Sequence, residues 1–118
     1  MKRIAFAVSA LLALASCAPA FAQTAKTSLN LSSAITAGGT FQVVFTADIT
    51  RKGCLIENPT TATEVLYVNF GSASPSASNS FSLAPGQSIA CSSPSVILTD
   101  TVEVMGATTG HGFIATVQ

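Results

Sequence analysis

The chain begins with one long apolar run and then changes to short segments in which apolar and polar residues alternate. Residues 4–15 are almost all apolar, they follow Lys2 and Arg3, and Ala20-Phe21-Ala22 comes a few positions later. A basic start, a short apolar run and small residues at the two positions that a signal peptidase reads are typical of an export signal, and the run is too short for a membrane span. We therefore predict a signal peptide over residues 1–22, cleaved after Ala22.

The same segment admits a second interpretation. Leu14-Ala15-Ser16-Cys17 resembles a bacterial lipobox, in which Cys17 is lipidated and becomes the first residue of the mature protein. Two acyl chains anchor a protein stably to a bilayer, whereas one does not. The sequence therefore predicts a protein outside the cytosol (periplasm, cell surface or medium), released after Ala22 or held at a membrane through Cys17.

After residue 23 helical spacing is nearly absent, and β-prone runs alternate with clusters of Gly, Pro, Ser and Asn. The strongest run predicts a strand over residues 64–70, with Leu66, Val68 and Phe70 on one face. Ala84-Pro85-Gly86 predicts a turn, because proline presets φ and glycine tolerates a positive φ. The strands predicted in this way cover residues 40–47, 54–57, 64–70, 80–83, 87–92, 101–105 and 113–117. Residues 27–32 alternate only weakly, and residues 96–98 form either a short edge strand or a bend.

The run over residues 40–47 predicts a strand with an apolar face. Simple alternation places Phe41, Val43 and Phe45 on that face and Val44 on the opposite one. Seven or eight short strands without a helix predict an all-β protein, a small antiparallel sandwich that is Ig-like or jelly-roll-like. Residues 23–36 form an N-terminal arm or first strand, and residues 37–118 form the sandwich domain.

Charge is scarce in the part of the chain that follows the signal. Three basic side chains stand against five acidic ones, so the sequence has no basic footprint of a nucleic-acid binder. Few charges combined with many apolar residues also argue against disorder. The charged residues concerned are Lys26, Arg51, Lys52, Asp48, Glu57, Glu64, Asp100 and Glu103.

Two cysteines, Cys54 and Cys91, remain after the signal. In an oxidising compartment an even pair in a small domain predicts a disulfide, which would pin one strand to another. Loop closure of this kind stabilises a fold by about 3–4 kcal/mol through lost chain entropy. The alternative is a pair of buried thiols that fill space as small apolar groups.

Five segments together resemble a known group of proteins. They include Arg-Lys-Gly-x-x-Ile-x-Asn at 51–58, Leu-Tyr-Val-x-Phe-Gly at 66–71 and Leu-x-Pro-Gly at 83–86. With residues 38–42 and 104–111, they resemble small β-sandwich proteins of tailed-bacteriophage and prophage virion modules, of the minor structural or decoration type. The resemblance covers about residues 36–116 and implies a structural role. Virion proteins seldom carry a secretory signal. The signal predicted for this chain therefore suggests a relative of that group redeployed at the cell envelope.

A weaker resemblance connects the chain with secreted pilin subunits of the spore-coat-U type. The shared features are the export signal, a cysteine in an early strand, Asn69-Phe70-Gly71, and Asp100-Thr101 before the closing strand. This resemblance implies a fimbrial subunit, an incomplete sandwich that needs a donated strand. The chain is shorter than such subunits, and its last residues lack their alternating apolar strand.

Catalytic and metal-binding patterns are not found in the sequence. His111 is the only histidine and stands between two glycines, which predicts an exposed loop residue rather than a ligand or base. No serine stands in a Gly-x-Ser-x-Gly elbow, and the carboxylates Glu57, Glu64, Asp100 and Glu103 are expected to be solvated at strand ends. We predict no catalytic residue, no metal ligand and no cofactor.

Two side chains are candidates for surface contact. Tyr67, on the polar face of its predicted strand, serves either as a platform for a sugar ring or as a cover for the edge of the core. Arg51 is expected to lay its stem on apolar surface and to keep its charge in water. The sequence thus predicts an exported, non-enzymatic structural or interaction module that binds a protein partner or its own copies. The alternatives are a carbohydrate-binding or adhesive module and a fimbrial subunit. Nucleic acid is not expected as a partner, and a membrane is expected only if Cys17 is lipidated.

Overall fold

The computed structural model describes residues 27–93 and 96–118. The predicted signal peptide over residues 1–22, with its two processing sites at Cys17 and Ala22, lies outside the described residues and stays a prediction.

Short β-strands make up most of the regular structure. One turn of 3₁₀ helix spans Ala77–Asn79. The strands are β1 (Leu29–Asn30), β2 (Ser33–Ala34), β3 (Gln42–Phe45), β4 (Cys54–Glu57), β5 (Leu66–Phe70), β6 (Phe81–Leu83), β7 (Ser88–Ala90), β8 (Ser92–Ser93), β9 (Val96–Ile97), β10 (Val102–Gly106) and β11 (Gly112–Val117).

The strands form two main antiparallel sheets. One has the order β1-β11-β4-β7, with β2 also paired to β11, and the other has the order β3-β10-β5-β6. Strands β8 and β9 form a separate two-stranded ribbon. Strands that follow one another along the chain mostly change sheets, which is the arrangement of a jelly roll. The predicted β-sandwich is therefore confirmed, in its jelly-roll form.

The core lies between the two sheets. Leu66, Val68, Val102 and Val104 are fully buried on the inner face of the four-stranded sheet. The five-stranded sheet contributes Ile56, among others, to the same cluster. The alternation predicted for residues 64–70 is confirmed at Leu66 and Val68, and Phe70 is partly buried against the same core. Asn69, on the opposite face, is also buried. The whole buried cluster consists of Ile35, Phe45, Cys54, Ile56, Leu66, Val68, Leu83, Cys91, Val102, Val104, Phe113 and Ala115.

Strand β3 departs from the predicted alternation. Phe45 is buried, but Val43, predicted on the same face, is 52% exposed. Phe45 pairs with Val102 and Val43 with Glu103, so that Val44 is an extra residue in the ladder. Such a β-bulge adds one residue and reverses the phase of the side chains that follow it. The prediction that Phe41, Val43 and Phe45 share one buried face is therefore wrong.

The predicted disulfide joins Cys54 and Cys91, whose Cα atoms lie 5.1 Å apart. Cys54 begins β4, and Cys91 directly follows β7, the neighbouring strand of the same sheet. Both cysteines are buried. The bond fastens the edge strand β7 to the interior of its sheet, and the alternative of two unpaired thiols is excluded.

A tight turn leads from the four-stranded sheet to the five-stranded one. Gly86 has a φ of +82° and follows Pro85, and the Gln87 amide donates to the Ala84 carbonyl oxygen at 2.9 Å. Proline followed by a residue with positive φ is the pattern of a type II turn. The turn predicted at this point is confirmed.

Candidate functional site

A buried histidine holds together one end of the sandwich. His111 Nδ1 lies 2.9 Å from Glu64 Oε1, and His111 Nε2 lies 3.0 Å from Asn58 Oδ1. Only 4% of the histidine side chain is exposed. The prediction of an exposed loop residue is wrong, because the β10–β11 turn folds the ring inward onto the segment between β4 and β5.

Asn58 fixes the orientation of this cluster. Its Nδ2 donates to the carbonyl oxygens of Glu64 and Leu83, at 2.9 Å each, so Oδ1 is the atom that faces the histidine. Its main chain also pairs with the β6–β7 turn, since Asn58 N–H donates to Gln87 O and Asn58 O accepts from Gly86 N–H. Through these bonds the fully buried Asn58 joins three connections of the fold, namely β4–β5, β6–β7 and, by way of His111, β10–β11.

Glu64 is the only charged partner of the histidine among the residues that the structure describes. Its Oε1 accepts a hydrogen bond of 3.0 Å from the Thr108 amide. This bond, and secondarily the nearby His111, lowers the pKa of Glu64 below its ordinary value. The expectation that Glu64 is simply solvated is therefore wrong, since a turn and a ring bind its carboxylate.

A polar cavity of about 350 Å³ opens beside the cluster. Among the described residues that line the cavity, His111 is the only ionisable one, and both of its ring nitrogens already have partners. A role as general base would require breaking one of these bonds. The remaining lining residues are Pro59, Thr61, Ala62, Thr63, Thr108, Thr109, Gly110 and Gly112.

Arg51 lies in the connection between β3 and β4 and is buried, with 2% of its surface exposed. Its Nη1 donates to the carbonyl oxygens of Leu98 (3.0 Å) and Asp100 (2.7 Å), and its Nη2 donates to that of Thr46. The guanidinium carbon also lies 5.6 Å from the centre of the Phe45 ring, within cation–π range. The expectation that the Arg51 charge stays in water is wrong, because the connection turns the side chain inward onto these carbonyls.

Tyr67 lies on the outer face of the four-stranded sheet and is partly exposed. Its cross-strand neighbours are Met105 on β10 and Ser82 on β6. Neither Arg51 nor a residue of the histidine cluster is among these cross-strand neighbours. The predicted contact of Tyr67 with a partner stays a prediction.

Large apolar side chains remain at the surface on several sides. Ile49 is 91% exposed in a turn closed by the Arg51 amide, which donates to the Asp48 carbonyl oxygen. Leu29 and Leu31 lie at the edge formed by β1, Val43 lies on β3, and Phe81 begins β6. These surfaces are available for contact with another molecule.

No group of three or more His, Cys, Asp or Glu residues within 27–93 and 96–118 is placed to hold a metal ion. No helix within those ranges is long and apolar enough to cross a membrane.

Sequence reasoning missed Asn58 and the role of Glu64 and His111. Asn58 and His111 stand 53 positions apart, and Glu64 and Thr108 stand 44 apart. No local pattern connects residues at such separations, so only the chain topology brings them together.

Comparison with known proteins yields little. No protein family and no curated protein matches the chain. One solved structure with a similar fold is described as "Bacillus endospore appendages form a novel family of disulfide-linked pili". The match has 18% sequence identity and a TM-score of 0.46, and it covers 77% of this chain and 83% of the other. Similarity at this level carries no argument about function, and the resemblance to phage-type domains stays a prediction.

Proposed function

We propose that this protein is an extracytoplasmic, non-enzymatic structural module that acts by surface contact, chiefly with copies of itself. The export signal expected over residues 1–22 and the Cys54–Cys91 disulfide support the location, because disulfides persist in oxidising compartments. The module is a jelly roll in which buried hydrogen bonds of Asn58, His111 and Arg51 hold the connections between strands.

The observation that carries the proposal is the exposure of large apolar side chains at the surface. Ile49 is almost fully exposed, and Leu29, Val43 and Phe81 are each more than half exposed. The sheets end in short edge strands without lysine, so the usual charged protection against edge pairing is missing. Such a surface favours association with another sheet or another apolar patch.

Two polar side chains that could do chemistry, His111 and Arg51, are engaged in the fold. His111 bonds to Glu64 and Asn58, and Arg51 bonds to three main-chain carbonyl oxygens. These bonds position the connections between strands. They support a role in which a rigid scaffold presents its outer surface.

Sedimentation velocity of the mature protein over a wide range of concentrations tests this proposal. We expect the average mass to rise with concentration, and we expect Ile49→Ser to reduce the rise if the exposed turn contributes. Thr61→Ser, an exposed position without a large apolar side chain, serves as the matched control. A strictly monomeric protein at millimolar concentration would contradict the proposal.

A further inference from the structure

Strand β7, three residues long, is a sheet edge without a bulge, a proline or a charged side chain. Strand β3 carries a bulge, and the edge formed by β1 and β2 is interrupted at Leu31 and Ser32. Bulges and interruptions hinder pairing with a further strand. Strand β7 has neither, and its two exposed residues, Ser88 and Ala90, are small and uncharged.

The hydrogen bonds of β7 show which of its main-chain groups face outward. Cys91 N–H donates to Cys54 O at 3.0 Å, and Asn58 N–H donates to Gln87 O at 2.9 Å. In an antiparallel ladder alternate residues bond to the same neighbour, so residues 87, 89 and 91 face β4. Ser88 and Ala90 therefore direct their N–H and C=O groups away from the sheet. Among the described residues, no main-chain group of a turn or loop bonds to these four groups.

We propose that a second copy of this chain pairs its own β7 with this edge, antiparallel about a two-fold axis at Ile89. In this register Ser88 of one copy stands opposite Ala90 of the other. Ser88 N–H then donates to Ala90 C=O across the axis, and Ala90 N–H donates to Ser88 C=O. Symmetry repeats the two bonds, so four hydrogen bonds use all the outward groups of both copies.

A second copy fits this edge because the edge is self-complementary. A two-fold interface uses the same patch on both subunits. Here each copy offers two donors and two acceptors, and the two-fold axis places each donor of one copy opposite an acceptor of the other. The small side chains of Ser88 and Ala90 allow the strands to approach. The Cys54–Cys91 disulfide holds the end of β7 in place, which reduces the ordering that pairing requires. The two copies then share one continuous sheet.

This inference rests on the proposed function and adds the surface and the register. The first test is Ala90→Pro, examined by sedimentation equilibrium of the mature protein. Proline removes an outward N–H group but no bond to β4, and such positions on edge strands tolerate it. We expect the dimer to weaken at least tenfold while the melting temperature of the monomer stays close to that of the native protein. Ala90→Ser keeps the N–H group and is the control that should dimerise normally.

A second test introduces charged side chains at Ser88 and Ala90. It tests the register of the β7–β7 pairing and does not depend on proline. Opposite charges that face each other across two strands stabilise the pair, and like charges destabilise it. The double variant Ser88→Lys/Ala90→Glu places opposite charges across the axis and should dimerise more tightly than Ser88→Lys/Ala90→Lys. The difference should shrink in high salt.

The outcomes separate this inference from the proposed function. If the native protein associates but Ala90→Pro and both charge variants associate equally well, the β7 pairing is wrong and another surface is responsible. If the native protein is monomeric at every concentration, the β7 pairing and the proposed self-association both fail.

Discussion

Asn58 Oδ1 lies 3.0 Å from His111 Nε2, and this contact joins the end of β4 to the turn before β11. Asn58 is fully buried, and its amide nitrogen is committed to two carbonyl oxygens, so its side chain cannot rotate without losing both bonds. The asparagine thus serves as a fixed acceptor for the histidine ring. The pair makes one end of the sandwich a fastened structure rather than a set of independent loops.

Replacing Asn58 should weaken the whole fold. Asn58→Ala removes the partners of two buried carbonyl oxygens and of the histidine ring, and each unsatisfied buried group costs about 1–3 kcal/mol. We expect a loss of about 3 kcal/mol in the free energy of unfolding, measured by urea denaturation. Thr61→Ala, in the same connection but exposed, should change it by less than about 0.5 kcal/mol. If Asn58→Ala lowered the free energy of unfolding by as little as the control, the Asn58 amide would not stabilise the fold.

Glu64 predicts how stability depends on pH in the acid range. Its pKa is lowered in the folded protein, first by the Thr108 amide and further by His111. A carboxylate of this kind stabilises the fold above its ordinary pKa, and this contribution is lost as the pH falls through the lowered pKa. Melting temperatures of Glu64→Gln measured down the acid range should therefore fall less steeply than those of the native protein. Glu57→Gln controls for removal of a carboxylate elsewhere, and equal slopes in the native protein and Glu64→Gln would contradict the prediction.

The fork of hydrogen bonds made by Arg51 should not be replaceable by lysine. An ammonium group cannot reach carbonyl oxygens on two sides as a planar guanidinium does. We expect Arg51→Lys to cost about 2 kcal/mol and Arg51→Ala about 3–5 kcal/mol in unfolding free energy, because each buried carbonyl oxygen left without its partner costs about 1–3 kcal/mol. Lys52→Ala, at the exposed neighbouring position, should change stability little. Full stability of Arg51→Lys in urea would refute this account.

The disulfide should contribute a large part of the stability of so small a domain. Closing a loop across the 37 positions between Cys54 and Cys91 contributes about 3–4 kcal/mol through chain entropy. The double variant Cys54→Ser/Cys91→Ser should lose about that amount in urea denaturation. Reductant should destabilise the native protein and leave the double variant unchanged. Two titratable thiols in the unreduced native protein would contradict the bond.

Processing of the N-terminus can be measured directly. We expect the intact mass of the protein from its native host to correspond to residues 23–118 with two hydrogens lost to the disulfide. A mass for residues 17–118 plus acyl chains would show lipidation at Cys17. The full chain, with residues 1–22 still attached, would contradict the export signal.

The alternation of side chains along one strand was open to prediction because it depends only on neighbours in the chain. Leu66 and Val68 lie inward as expected, and Cys54 and Cys91 pair as expected. The same reasoning failed at Val43, because a bulge arises from how β3 meets β10 and not from the residues of β3 alone. It failed again at His111 and Arg51, whose inward orientation depends on carbonyl and carboxylate oxygens supplied by distant segments.

The sequence by itself determined the class of fold, most of the strand positions and the pairing of two cysteines, since period-two alternation and a single even pair carry that information locally. Only the tertiary structure decided which polar residues become interior braces and which sheet edge stays open. The physical reason is that a buried polar group is stable only where partners meet it, and several of these partners, such as Asn58 for His111, lie 44 to 53 positions away along the chain.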